Sequence, residues 1–426
     1  MINQVSIKIV DASIFSTNFR KPLYDSYGFS NIPQTIIGAL TDGKLGLPAD
    51  VLGNFPTHYK KVIFFFVDAF GWRFFERYKD RYPILKKLST QGVVSKLTSQ
   101  FPSTTVAHVT TANTGLSVGQ HGIYEWNYYE PTMDAVIQPL FFSYADKAKR
   151  ESLKLEGVDP FSLFPHETVH QKLVKTGIPT HVYQLIDYAQ SSYGDVVMQG
   201  SVIHPFTTLN EGLTTLAKQV LSEERGYYYF YFDGIDSVGH HYGPESHEFD
   251  VQVDEFLKSL EKLFIDKLDG KLTDTLFLMS ADHGQVDSSP GTCFYINREA
   301  PEIIPMLQTT KNGKIIIPAG SPRDFFLHVK QEYLGLVREI ITPKLEGIAE
   351  VYLVSQLIEE GFFGPLPLSE KFFARVGNLI ILPYAHHSVW WFEEGVFWQK
   401  HIGHHGGLTT EEMETILYAY TFKLET

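Results

Sequence analysis

The side chains best suited to chemistry are aspartates and histidines set close together, with a threonine-rich stretch ahead of them. Asp236 and His240 stand four apart in DSVGHHYGP, so on a helix they project to one side, within reach of a single cation. Taken alone, that pair also fits a helix cap followed by a surface histidine. Asp282 and His283 are adjacent in SADHG. Both turn toward one point only where the backbone leaves a regular element, and Gly284 is expected to supply that freedom. Carboxylate oxygen with imidazole nitrogen suits zinc, manganese or iron better than calcium or magnesium; a loop cap is the plain alternative. HIGHHGG places His404 and His405 among glycines, as an exposed histidine-rich loop would. Asp68 ends an apolar run, where its ordinary role would be to cap the helix that starts near Phe70. Thr104 and Thr105 follow a proline in FPSTTVAH, the usual setting of helix-capping hydroxyls. A threonine there also sits at the positive end of a helix, which stabilises both an attacking alkoxide and a phosphate oxygen. Three Asp/His clusters in one order along the chain make the surface explanation less apt for the set than for any member.

These groups need elements that bring them to one place. VIFFFVD, YYYFYFD and TLFLMSAD are continuous apolar runs ending in Asp68, Asp233 and Asp282, as expected of strands buried on both faces. Between them lie helical patterns, such as 249–268 with Phe256, Leu260, Leu263 and Phe264 at three- and four-residue spacing. Strands alternating with helices predict a mostly parallel α/β sheet, and such sheets bind ligands beyond the carboxyl ends of their strands. Residues 1–57, rich in Gly, Pro and Asn, read as an irregular lead-in packed on the core. The core is expected over 58–291 and 376–426, resuming with VGNLIILPY. Between these pieces, 292–375 reads as an inserted α+β cap, with a hairpin around Asn312 and Gly313 and a helix from Pro322 to about Arg338.

The bulk composition agrees with a globular protein: 43% hydrophobic, 20% charged and 14% aromatic residues. A net charge of -13 argues against a nucleic-acid duplex as partner. The single cysteine, Cys293, allows neither an intrachain disulfide nor a cysteine-based zinc site. The N-terminus has no basic stretch followed by a long apolar run, and no apolar segment reaches the ~18–20 residues needed to span a bilayer. A soluble cytoplasmic protein is the expectation, with no membrane partner.

The segments VIFFFVDAFG, FPSTTVAHVTTANTGLSVGQHGI, DSVGHHYGP, SADHG and GHHGG, spread over roughly residues 60 to 410, resemble in content and order the alkaline phosphatase superfamily. Within it they are most similar to the type I phosphodiesterase and nucleotide pyrophosphatase branch. The resemblance implies a three-layer α/β/α sandwich and two divalent ions, usually zinc, with manganese possible. One ion would be bound by Asp68, Asp282, His283 and the Thr105 oxygen, the other by Asp236, His240 and His405. Thr105 rather than Thr104 falls at the family's nucleophile in a gap-free alignment through Gly115, and His405 rather than His404 directly precedes the glycine. The implied reaction is hydrolysis of a phosphodiester or pyrophosphate bond in a small phosphate ester or nucleotide, through a phospho-threonine intermediate. The branch places a phosphate-binding Asn after the HG of this motif; Asn127 lies one position later than expected, which leaves diester against monoester preference open. Tyr124, Trp126, Trp390 and Trp391 are available to stack on a substrate ring. Rival readings are a phosphomonoesterase, a sulfatase (disfavoured by the distance of Cys293 from the nucleophile motif), or a metal-bound scaffold without turnover.

Overall fold

The computed structural model describes residues 1–147 and 149–422. The three apolar runs form adjacent parallel strands, with Lys61–Val67 between Gly226–Phe232 and Thr275–Ser280. Among the described residues the sheet has seven strands, in the order Val93–Thr98, Glu414–Thr421, Thr275–Ser280, Lys61–Val67, Gly226–Phe232, Thr180–Leu185 and Val202–Phe206. Glu414–Thr421 alone runs antiparallel, to both its neighbours.

Successive side chains of a strand leave opposite faces of a sheet, and here each face has its own core. Val62, Phe64 and Phe66 pack with Ile36, Val106 and Val109 on one side; Ile63, Phe65 and Val67 pack with Leu213, Phe249 and Phe256 on the other. Helices therefore cover both faces, as the unbroken apolar runs predict. The helical pattern over 249–268 is observed as His247–Ser259, a π-helical turn Leu260–Ile265, and Asp266–Leu268. Among the described residues, no helix is long and apolar enough to cross a membrane.

Three expectations need correction. The lead-in contains the regular helices Gln4–Asp11 and Ile32–Thr41. Asn3 caps the first by accepting from the N–H groups of Val5 and Ser6, and Ile36, Ala39 and Leu40 bury the second. VGNLIILPY does not resume the central sheet. Leu379–Pro383 instead joins a second, antiparallel sheet in the order Ala319–Ser321, Asp324–Leu327, Leu379–Pro383, Ala349–Leu353. A short apolar run fits any buried strand, so periodicity could not tell one sheet from the other. The helix expected from Pro322 is strand Asp324–Leu327 at its start, and helix Leu334–Lys344 follows. All four residues of that strand are buried, Phe325 and Leu327 in the cap's core and Phe326 in the main core. The turn at Asn312 and Gly313 is present, with Thr309 bridged to Ile315 and Gly313 at φ 78°.

Candidate active site

The expected groups meet at the carboxyl edge of the central sheet. Asp68 follows Lys61–Val67; Asp282 and His283 follow Thr275–Ser280 after one alanine; Asp236 and His240 lie on helix Gly234–Tyr242, which leaves Gly226–Phe232. His405 follows the short strand Gly403–His404, pinned antiparallel to Val286–Asp287. Thr105 is the first residue of helix Thr105–Thr114. Thr104 occupies the N-cap position, but its hydroxyl does not cap. Asp68 does not cap a helix either, since Trp72–Tyr78 begins after Gly71 without a side-chain cap. Gly284 is required for space rather than backbone freedom: a Cβ there would lie 2.1 Å from the Glu411 carbonyl oxygen.

Thr105 Oγ1 lies 3.5 Å from Asp68 Oδ1 and 3.4 Å from His283 Nε2. Asp282 Oδ1 accepts from Ala69 N–H and His283 N–H at 3.1 and 3.0 Å. Asp282 Oδ2, which has no hydrogen-bond partner among the described residues, stands 3.0 Å from His283 Nε2. A second group surrounds His240 Nε2, with Asp236 Oδ2 and His405 Nε2 each at 3.2 Å. Asp236 stands between the two groups. Its carboxylate comes within 4.8 Å of ligand atoms of Asp68 and His283 on one side, and of His240 and His405 on the other.

The imidazoles are oriented alike. Nδ1 of His240, His283 and His405 donates to the carbonyls of Gly403, Gly284 and Ser103 at 2.7, 3.0 and 2.9 Å. Each Nε2 is left as an acceptor aimed at carboxylate oxygens or at another Nε2. Such lone pairs repel unless a cation lies among them, and anchoring the far nitrogen is how proteins present histidine to metals. The donor set therefore fits divalent cations of the zinc type.

The electrostatics of the bare groups point the same way. Burial and the charges of Asp282 and Asp236 push the Asp68 carboxyl well above the ordinary carboxylate value. Burial opposes ionisation of Asp236 too, yet His240, His405 and His283 carry its carboxyl below the usual range. Burial and the charge of His283 hold the His405 imidazole well below normal. A cation placed in this cluster would compete with protons for the same atoms.

A cavity of about 660 Å³ opens over it, reached by Asp68, Thr105, Asp236, His240 and His405. Of the aromatic candidates, Trp126 and Trp390 line the cavity. Tyr124 is fully buried against Tyr128, and Trp391 packs in the cap core. Asn127 lines the cavity, with its amide nitrogen donating to Gly320 of the cap at 3.3 Å and its oxygen accepting from Gln138 at 3.2 Å. Sequence reasoning missed Tyr231, whose hydroxyl donates to Asp68 Oδ2 at 2.6 Å, and Gln285, whose amide donates to Asp236. It also missed Phe141 and Tyr188 on the cavity wall, with the Arg150 guanidinium 4.3 Å from the first ring centre and 5.8 Å from the second. Gln285, two residues after His283, was the only one near a motif. His404 turns away from the carboxylates, its Nε2 meeting Gln399 and the His401 carbonyl.

A mostly parallel sandwich with helices on both faces and an acidic, histidine-rich cluster at its strand ends is an alkaline-phosphatase-like fold. Residues 62–408 match the family model for type I phosphodiesterase / nucleotide pyrophosphatase, and the chain belongs to that family. Mouse ectonucleotide pyrophosphatase/phosphodiesterase family member 1 is 27% identical over 254 residues, 56% of this chain and 25% of the relative. Its rat counterpart is 24% identical over 257 residues, with the same coverage. The match thus spans about a quarter of the length of these curated relatives. In fold, the chain is similar to murine ectonucleotide pyrophosphatase/phosphodiesterase 5, solved as an inactive threonine-to-alanine variant in complex with AMP. The TM-score is 0.60 at 16% identity, covering 85% of this chain and 88% of that one. The human protein of the same name gives a TM-score of 0.59 at 16% identity, covering 84% and 87%.

Proposed function

We propose that this protein hydrolyses phosphodiester or pyrophosphate bonds in small, nucleotide-like substrates, with two divalent cations, zinc by donor type, and Thr105 as nucleophile. The observation that carries the reading is Thr105 Oγ1, set between Asp68 and His283 at a helix N-terminus that opens into the cavity. Asp68, Asp282, His283 and Thr105 would hold one cation; Asp236, His240 and His405 would hold the other. When bound, the cations supply Lewis acidity toward the attacking and leaving oxygens.

The Thr105 hydroxyl releases its proton to solvent and its oxygen attacks phosphorus, forming a phospho-threonine as the leaving oxygen departs with the bonding electrons and takes up a proton from water. A water oxygen then bonds to phosphorus as the Thr105 oxygen–phosphorus bond breaks, one of that water's protons passing to the Thr105 oxygen and the phosphoryl product leaving with the water oxygen. The free N–H groups in the first turn of Thr105–Thr114 favour the anionic phosphoryl group throughout. The cavity walls at Trp126, Phe141 and Tyr188 give a second substituent somewhere to lie, which supports a diester or pyrophosphate over a monoester. AMP in the murine relative supports a nucleotide-like group.

The test compares an aryl phosphodiester with the matching aryl monoester on zinc-loaded protein, with Thr105→Ala as blank. A diester rate well above the monoester rate, lost by at least about 1,000-fold in the variant, is expected from removal of a nucleophile. A ratio well below one reassigns the protein as a phosphomonoesterase, and no turnover of either substrate removes the hydrolase reading.

A further inference from the structure

Gln285 is fully buried and links the segments that carry both groups of candidate ligands. It comes two residues after His283 and directly before Val286–Asp287, the strand that pairs with Gly403–His404 ahead of His405. Its side chain crosses to helix Gly234–Tyr242, where the amide nitrogen donates to the Asp236 carbonyl oxygen at 3.1 Å and to Asp236 Oδ1. Both partners are acceptors, so the nitrogen of the amide, and not its oxygen, faces them. The other carboxylate oxygen, Oδ2, is the one turned toward His240 Nε2, at 3.2 Å.

Room for this amide is made at two glycines. A Cβ on Gly239 would lie 1.9 Å from Gln285 Oε1, and one on Gly403 would lie 2.9 Å from the same oxygen. At Gly403 the Gly239 carbonyl oxygen, at 2.3 Å, also excludes a side chain; at Gly239 the three nearest atoms all belong to the Gln285 side chain. Glycine inside a helix is less stable than alanine, and Gly239 lies within Gly234–Tyr242 without a left-handed φ that would call for it. The helix forgoes a side chain where the Gln285 amide lies. We propose that Gln285 is a positioning residue for the group of Asp236, His240 and His405: its amide fixes the Asp236 carboxylate, and Gly239 is the space that amide needs. The proposal rests on the reading that this group holds a cation. An amide suits the task because it orients a carboxylate without neutralising it, where a lysine or arginine would set a competing positive charge beside the cation.

The test is a chelator titration of the zinc-loaded chain, in which the affinity of each bound zinc is read from its release. Gln285→Met keeps the length of the side chain and removes the donor. Expected is a fall of about 10–100-fold in the affinity of one zinc, with the other unchanged. Gly239→Ala, whose Cβ meets the Gln285 side chain, should give the same one-site loss. In a Gln285→Ala background it should cost nothing further, because the two residues act as a unit. Unchanged zinc affinities in Gln285→Met, or an equal fall in both, overturn the proposal. A Gly239→Ala loss that persists in full in the Gln285→Ala background overturns it as well. Alanine is the better helix former, so Gly239→Ala carries the test even where Gln285→Met fails to fold. A wild type that holds fewer than two zinc ions overturns the two-cation reading and this proposal together, whereas two zinc ions that respond to neither variant overturn this proposal alone.

Discussion

Tyr231 is the last but one residue of an aromatic strand, and its hydroxyl ends 2.6 Å from Asp68 Oδ2. Tyr231→Phe keeps the ring and removes only that donor. Groups that orient a metal-binding carboxylate from behind typically matter 10–100-fold in metal affinity or rate, so about that loss is expected in a zinc competition titration, with the melting temperature little changed. The sequence could not single out this tyrosine, because in YYYFYFD every ring has the same apolar strand context. Asp68, Asp236, Asp282, His283 and His405 were legible because each lies where an apolar run stops or beside glycines, and because several such places recur in order. His240 was legible through its four-residue spacing from Asp236. Asn127 was reached only through resemblance, and its amide is engaged with Gly320 and Gln138.

The hairpin of Ala319–Ser321 and Asp324–Leu327 shows what an element's neighbours add to its sequence. FFL reads equally as helix or strand; pairing with Leu379–Pro383 decides it. That pairing joins residues more than fifty positions apart, which no local pattern reports. Arg323 in this hairpin is 0% exposed and bonds Glu412 with two nitrogens, while Nη1 donates to the Tyr384 carbonyl at 2.8 Å. Glu412→Gln leaves a buried guanidinium half-partnered and should destabilise the fold by about 3–5 kcal/mol in urea titration. Replacing Arg323 by Met and Glu412 by Leu together should recover only part of this. The carbonyls of Pro383, Tyr384 and His387 would then lose the guanidinium donor, and the Gly407 N–H and Thr409 N–H and hydroxyl would lose the Glu412 acceptor. Full recovery in the double variant would show that the pair alone matters.

For the whole molecule, binding of the proposed cations would be linked to folding. Chelation should abolish turnover and lower the melting temperature, and zinc should restore both. A site filled at 100 times its dissociation constant contributes about 2.7 kcal/mol. A separate pH effect comes from His121, His170 and His328, whose burial lowers their pKa values from 6.5 to about 3, 3 and 4. Unfolded, these groups take up protons near pH 6.5; folded, they do not, so the unfolded state binds more protons as pH falls through that value. Stability is therefore greatest above the ordinary histidine range and declines toward the folded pKa values. At pH 5.5 the loss is up to roughly 1.4 kcal/mol per histidine, measurable as a shift in the urea midpoint between pH 7.5 and 5.5. The outline of the sandwich was legible because parallel strands buried on both faces leave unbroken apolar runs; the partner of each strand was not. The antiparallel strand Glu414–Thr421 lies between Val93–Thr98 and Thr275–Ser280. During synthesis, then, Val93–Thr98 waits beside the ribosome for more than three hundred residues before its sheet neighbour emerges. Until Thr421 has cleared the exit tunnel, two strand edges, the more apolar of them Thr275–Ser280, stand open to pairing with other nascent chains. Translation speed and chaperone supply, as much as sequence, should set how much of this protein reaches its native form.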